Sequence, residues 1–204
     1  MQDSPLYLGQ RTIDINPVKE TLLKLLNNAL KAKSLNEKEN NFIIKVMKVT
    51  PDILIEIGFG PDSIFELIEK NEPLASDILI HLSRSEGFEN YMKLFLERKW
   101  SVNSIKAINK LIQHINFPPV FIRVYLKIII VQFKNENNMI IKEKLGKLLS
   151  FFILNLLNHD HITFDMIPQS INLLFNEEYK DIDLLILKSK IYEYRRKNNN
   201  KNNI

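Results

Sequence analysis

What most restricts the fold of this chain is its punctuation: helix-starting signals recur along it, several led by proline, and apolar residues follow each at three- and four-residue spacing. At Asn16-Pro17 a capping side chain precedes a proline whose missing N–H costs nothing in the first helical turn, and Leu22, Leu23, Leu26 and Leu30 follow. This spacing predicts an amphipathic helix over residues 17–33. Asn36 with Glu39 three residues on makes a capping-box start, and Phe42, Ile43, Val46 and Met47 supply the stripe of a second helix ending near Val49. Thr50-Pro51, Gly60-Pro61 and Glu72-Pro73 then open three helices in succession, the first closed by Gly58, the second ending near Asn71 and the third near Arg84. Proline-led helices in a row imply tight turns and angled packing.

The second half continues in the same way. Gly87 precedes a helix over 88–99 with Phe88, Tyr91, Met92, Phe95 and Leu96 on one side, and Trp100 ends it. Ser101 caps a helix in which Val102, Ile105, Ile108, Leu111, Ile112 and Ile115 form one buried face, while Asn103, Lys106, Asn109 and Lys110 form the other. After the break at Phe117-Pro118-Pro119, the helix over 119–135 is apolar almost all round, which predicts a place in the middle of the fold. Its run Ile128–Val131 is β-branched, but the helical period of the flanks and the length of the segment keep it a helix.

A helix over 139–158 carries Gly146, which reads either as a point of close approach for a neighbour or as a tolerated surface glycine. Thr163 then caps a helix to about Phe175, with Pro168 near its first turn, and residues 178–194 form the last helix. The expected fold is all-α: an irregular, helical-repeat-like stack of about ten helices with no sheet and no fixed repeat. Residues 1–16 read as an irregular N-terminal arm, 17–194 as a single helical domain, and 195–204 as a disordered, basic, Asn-rich tail.

Composition narrows the chemistry. The 204 residues contain no cysteine, which excludes disulfides, thiolate metal sites and cysteine nucleophiles, and only five glycines and four histidines. His159-Asp160-His161 is the single cluster of metal-type ligands, but it supplies too few ligands for zinc and suits a helix junction, so it reads as a turn. His81 and His114 stand on separate helices and read as core or surface histidines. No nucleophile elbow, phosphate loop or dinucleotide fingerprint occurs, and the chain is expected to be neither an enzyme nor a cofactor or metal binder. The N-terminus reads as lacking a secretory signal, and the longest apolar runs fall short of the ~20 residues that span a bilayer. An intracellular location, cytoplasmic or nuclear, and no membrane partner are expected.

Charge is unevenly distributed. The net +4 comes from the last ten residues, with four bases and no acid, so the pI of about 9.1 describes a tail rather than the body. Within the body, residues 93–147 hold eleven bases against three acids. Lys106 with Lys110, and Arg123 with Lys127, are spaced four apart, so each pair projects from one helix face toward an acidic peptide or phosphates. Solvated lysines facing acids of the same fold are the plainer reading and are preferred to a nucleic-acid groove.

Several linked segments also carry a resemblance: Pro51 to Pro61 (PDILIEIGFGP), Leu67 to Leu74 (LIEKNEPL), Ser101 to Leu111 (SVNSIKAINKL) and Phe117 to Tyr125 (FPPVFIRVY). In order and spacing they are similar to the C-terminal domain of subunit eleven of the CCR-NOT deadenylase complex, over roughly residues 17–194 and most strongly over 51–135. The resemblance implies a non-catalytic helical subunit of a complex that shortens mRNA poly(A) tails, represses translation and influences transcription, present in cytoplasm and nucleus. Its partners would be other complex subunits and recruited regulatory proteins. Animal members look longer, with an N-terminal region that docks onto the complex, and this chain begins near the C-terminal domain. The candidate partner-binding residues are the Trp100-Ser101 corner with Lys106, Lys110, Arg123 and Lys127, the alternative for Trp100 being a core residue. The alternative is a helical RNA-binding protein using the basic face of 93–147.

Overall fold

The computed structural model describes residues 6–8, 11–13, 15–167, 171–172 and 182–201. Its element order is β1 (Leu6–Leu8), β2 (Arg11–Ile13), α1 (Ile15–Leu30), α2 (Glu37–Val49), α3 (Ile53–Glu56), α4 (Pro61–Lys70), α5 (Glu72–Leu82), α6 (Phe88–Glu97), α7 (Val102–Leu111), α8 (Pro119–Asn135), α9 (Met139–Asn158) and α10 (Ile182–Lys201), with a 3-10 turn at Phe164–Met166. The fold is all-α, as the helix signals require. Among the described residues the one departure is in the N-terminal arm, where β1 and β2 pair antiparallel with Leu6 opposite Ile13 and Leu8 opposite Arg11. The aromatic Tyr7 and the β-branched Thr12 and Ile13 are residue types that favour strands.

Where the sequence reads as one helical domain, the chain packs as two compact units, Met1–Leu94 and Phe95–Ile204, with the boundary inside α6. In the first unit, α1 packs on α2 and α4, while α5 packs on both α2 and α4. Leu22 and Leu26 of α1, Ile43 and Met47 of α2, Leu67 and Ile68 of α4, and Ile78 and Leu79 of α5 are fully buried. Burying a leucine or isoleucine side chain is worth roughly 1.5–3 kcal/mol, so these faces, rather than helix propensity, hold the unit together.

The local signals behave as expected. Asn36 Oδ1 accepts from the Glu39 N–H at 3.0 Å, and Glu39 Oε2 accepts from the Asn36 N–H at 2.8 Å, completing the capping box of α2. Pro61 follows the N-cap Gly60 of α4, and Asn71 caps α5 by accepting from the Leu74 N–H. Gly58 closes α3 with φ of +71°, a conformation that favours glycine. α1 begins at Ile15 rather than after Asn16, because Pro17 in its first turn lacks only an N–H that has no intrahelical partner there.

In the second unit, α7, α8 and α10 all pack on α9. Gly146 of α9 is the point of close approach: a Cβ there would lie 3.3 Å from Phe133 Cε2 of α8. A connection of three residues, Glu136 to Asn138, makes α8 and α9 an antiparallel pair. Thr163 starts no α-helix; the chain makes only the 3-10 turn before Ile167, and the expected helix residues 168–170 and 173–175 lie outside the described residues. Residues 178–181 of the last expected helix do so too. α10 continues to Lys201, past the expected end at 194, since no proline or glycine interrupts it; residues 195–201 are therefore helical rather than a disordered tail. Arg195 Nη1 donates to Asn172 Oδ1 at 3.2 Å.

Candidate functional site

The candidate residues gather on the start of α7 and on the outward faces of α7 and α8. Ser101 is the N-cap of α7: its hydroxyl accepts from the Ser104 N–H at 3.0 Å, and the Ser104 hydroxyl accepts from the Ser101 N–H at 2.7 Å. This reciprocal pair does the work of a capping box with serine in place of glutamate. Trp100 is only 7% exposed, and its backbone N–H donates to Gln132 Oε1 of α8 at 3.0 Å. The Trp100-Ser101 corner thus ties the start of α7 to α8, and the Trp100 ring itself is turned into the fold. Burial of so large an apolar ring outweighs any exposure a helix junction would give it.

Lys106 stands exposed on α7, while Lys110 is half-buried and engaged within the fold. Asn109, expected on the polar face with them, is buried instead: its Oδ1 accepts from Asn155 Nδ2 of α9 at 3.5 Å, and its own Nδ2 has no partner. Both Arg123 and Lys127 are exposed on α8. The two basic pairs therefore sit on different helices that share α9 as support.

α8 is not wrapped by neighbours on all sides. Ile122, Tyr125, Leu126, Ile129, Ile130 and Phe133 face the core, with Tyr125 edge-on to Phe152 of α9 at a centroid distance of 5.7 Å. Phe121 stacks on both Phe117 and Tyr125 at 5.1 and 5.9 Å. The phenol of Tyr125 is buried without a hydrogen-bond partner, and burial raises its pKa far above the ordinary tyrosine value. The opposite face shows Val120, Val124 and Val131 to solvent, at 71%, 38% and 56% exposure. These valines are not among the candidates read from the sequence, because an exposed valine on a mostly apolar helix looks like a buried one unless it is placed against the charges of its own face. Their 4-3-4-3 spacing with Lys127 and Lys134 is the signal that finds them.

The histidine triplet forms a turn. Asp160 has φ of +56°, and the His161 N–H donates to the Leu156 carbonyl at 2.9 Å, closing the end of α9. His161 Nε2 lies 2.9 Å from the Ile112 carbonyl oxygen, which can only accept, so this nitrogen carries the hydrogen and is spent on the fold. Asp160 and His161 border a hollow of about 330 Å³ with Asn116, Phe117, Pro118 and Pro119. Among the described residues no group of three or more His, Cys, Asp or Glu side chains stands close enough to hold a metal ion, and no helix is long and apolar enough to cross a membrane. In the first unit, burial together with Arg84 and Lys48 lowers the pKa of His81, against the opposing pull of Asp77.

The fold and these faces define an all-α protein that presents the outward surfaces of packed helices. Residues 68–182, more than half of the chain, match the family model of CCR4-NOT transcription complex subunit 11, and the chain belongs to that family. It is 23% identical over 145 residues to the CCR4-NOT transcription complex subunit 11 of Dictyostelium discoideum. That alignment takes in 71% of this chain and 22% of the relative, so the chain spans only about a fifth of that protein's length. The match covers α5 to α9 entire, including every candidate residue.

Proposed function

We propose that this chain is a non-catalytic subunit of the CCR4-NOT complex, acting as a protein–protein interaction module in mRNA deadenylation, translational repression and transcription regulation, in cytoplasm and nucleus. The observation that carries this reading is the family match over residues 68–182, which includes the helices whose outward faces remain uncovered. Other subunits of the complex and recruited regulatory proteins are the proposed partners. A rigid helical surface offers such partners a groove or a stripe without contributing chemistry. Affinity purification of the tagged chain from its own cells, after nuclease treatment, tests it. Recovery of the scaffold and nuclease subunits supports the reading, and recovery of none refutes it.

The excess of bases in residues 93–147 favours a second reading, direct RNA binding through the basic face. That reading requires affinity for single-stranded RNA to fall steeply with salt, and partners that disappear with nuclease.

A further inference from the structure

The outward face of α8 has the form of one half of a helix–helix seam. Val120, Val124, Lys127, Val131 and Lys134 follow one another at intervals of four, three, four and three residues, the spacing at which one helix meets another in a coiled coil. All five are exposed, and three are valines, two of them more than half exposed. Arg123 stands beside the row, and α8 carries no acidic residue at all. Arg123, Lys127 and Lys134 have no ion-pair partner among the described residues. The row runs for about 21 Å along the helix, enough for three to four turns of a partner.

We infer that this face docks an amphipathic helix of another protein, one whose apolar row is interrupted by an acidic residue opposite Lys127 and flanked by further acids. The inference rests on the reading of the chain as an interaction subunit and names the face and the partner's chemistry. Charge complementarity selects the occupant. A second copy of this chain is disfavoured by geometry, since Lys127 lies at the midpoint of the row: parallel or antiparallel pairing would each set Lys127 against Lys127, a like-charge contact that costs specificity and affinity. Phosphates would satisfy the bases but leave the valines with nothing to bury against, and no aromatic ring stands in the row to stack a base. An acidic amphipathic helix satisfies both at once.

The test uses the full purified chain and, as probe, a synthetic helical peptide about three heptads long with leucine at a and d, glutamate at the d position meeting Lys127, and glutamate at e and g. A twin peptide carries lysine for every glutamate. Fluorescence anisotropy should show the acidic peptide binding at least about tenfold more tightly than its twin. Lys127→Glu should reverse that order, and Val124→Asp should abolish binding of both while leaving helix content unchanged by circular dichroism. Because Lys127 is exposed, its variant folds regardless of how Val124→Asp behaves. Equal binding of the two peptides, or indifference to Lys127→Glu, overturns the inference. Tighter Lys127-dependent binding of a mixed-sequence single-stranded RNA, or of phosphatidylserine vesicles, overturns it in favour of nucleic acid or lipid. Purification of the tagged chain separates the two failures. CCR4-NOT subunits recovered with no acidic preference overturn only the seam, while acidic preference with no subunit recovered supports the seam and refutes complex membership.

Discussion

α7 and α8 bear the same charge motif, two bases four residues apart, and both pack on α9. Their outward faces nevertheless differ in what surrounds the charge. On α7 the outward side is polar, with Lys106 in solvent and Lys110 engaged within the fold, so its apolar residues are already spent inward. On α8 six large side chains face the core, and three valines remain outside among the bases. A basic pair on a polar face is solvation; the same pair beside uncovered apolar surface is a place where burial and charge pairing can be gained together. Charge spacing therefore acquires meaning only once the burial of its neighbours is known.

The contrast between the two faces of α8 can be broken most directly by truncation. Ile130→Ala, inside, should cost about 2–5 kcal/mol in chemical denaturation, whereas Val131→Ala, next to it in sequence and outside, should change stability by no more than about 0.5 kcal/mol. Comparable losses would mean that Val131 is covered after all. The starts of the two helices differ as well: α7 has a side-chain cap and α8 has none. Ser101→Ala should lower stability by about 1 kcal/mol, and a thermal melt showing no loss would remove the structural role assigned to this residue.

Tyr125→Phe should stabilise the protein by about 1 kcal/mol, because the hydroxyl it removes is buried without a partner. A fall in the denaturation midpoint would reveal a hydrogen bond that the packing of α8 does not show. The smallest effect is on the exposed bases. Lys106→Glu and Lys127→Glu should each leave the melting curve within about 0.5 kcal/mol of the parent, so that any difference between α7 and α8 appears in binding alone.

Most helix starts were legible because their causes are local. The Asn36–Glu39 reciprocity, the proline at Pro61, the cap at Asn71 and the serine cap at Ser101 each involve residues within four of one another. The orientation of α8 was legible only in part, since Arg123, Lys127 and Lys134 mark the outward side while the valines among them are no different in kind from the buried residues opposite. Asn109, read on the polar face, is buried, and the choice between the surface and core readings of Trp100 is not made by the sequence, for a related reason. Whether a ring or an amide at a helix surface is buried depends on partners such as Gln132 and Asn155, which lie 32 and 46 residues away. The split of the helices into two units, and the end of α10, likewise depend on tertiary packing or on the absence of a stop signal rather than on any motif. Gly146 admits two readings in the sequence, and the Phe133 ring, 3.3 Å from where a Cβ would lie, decides for close approach.

The turn between α8 and α9 has a consequence for how the second unit assembles. Glu136 Oε1 accepts from the Asn138 N–H at 2.9 Å, and Asn138 Oδ1 in turn accepts from the Ile140 and Ile141 N–H groups, so the loop and the first turn of α9 are ordered by the same few residues. Closing so short a connection costs little chain entropy, and the contacts it allows, such as Phe133 against Gly146, span few residues. Pairing two neighbouring helices through so short a loop keeps the contact order of the unit low. The helix that bears the exposed row is thus tied to α9 by a connection whose hydrogen bonds involve neither α7 nor α10.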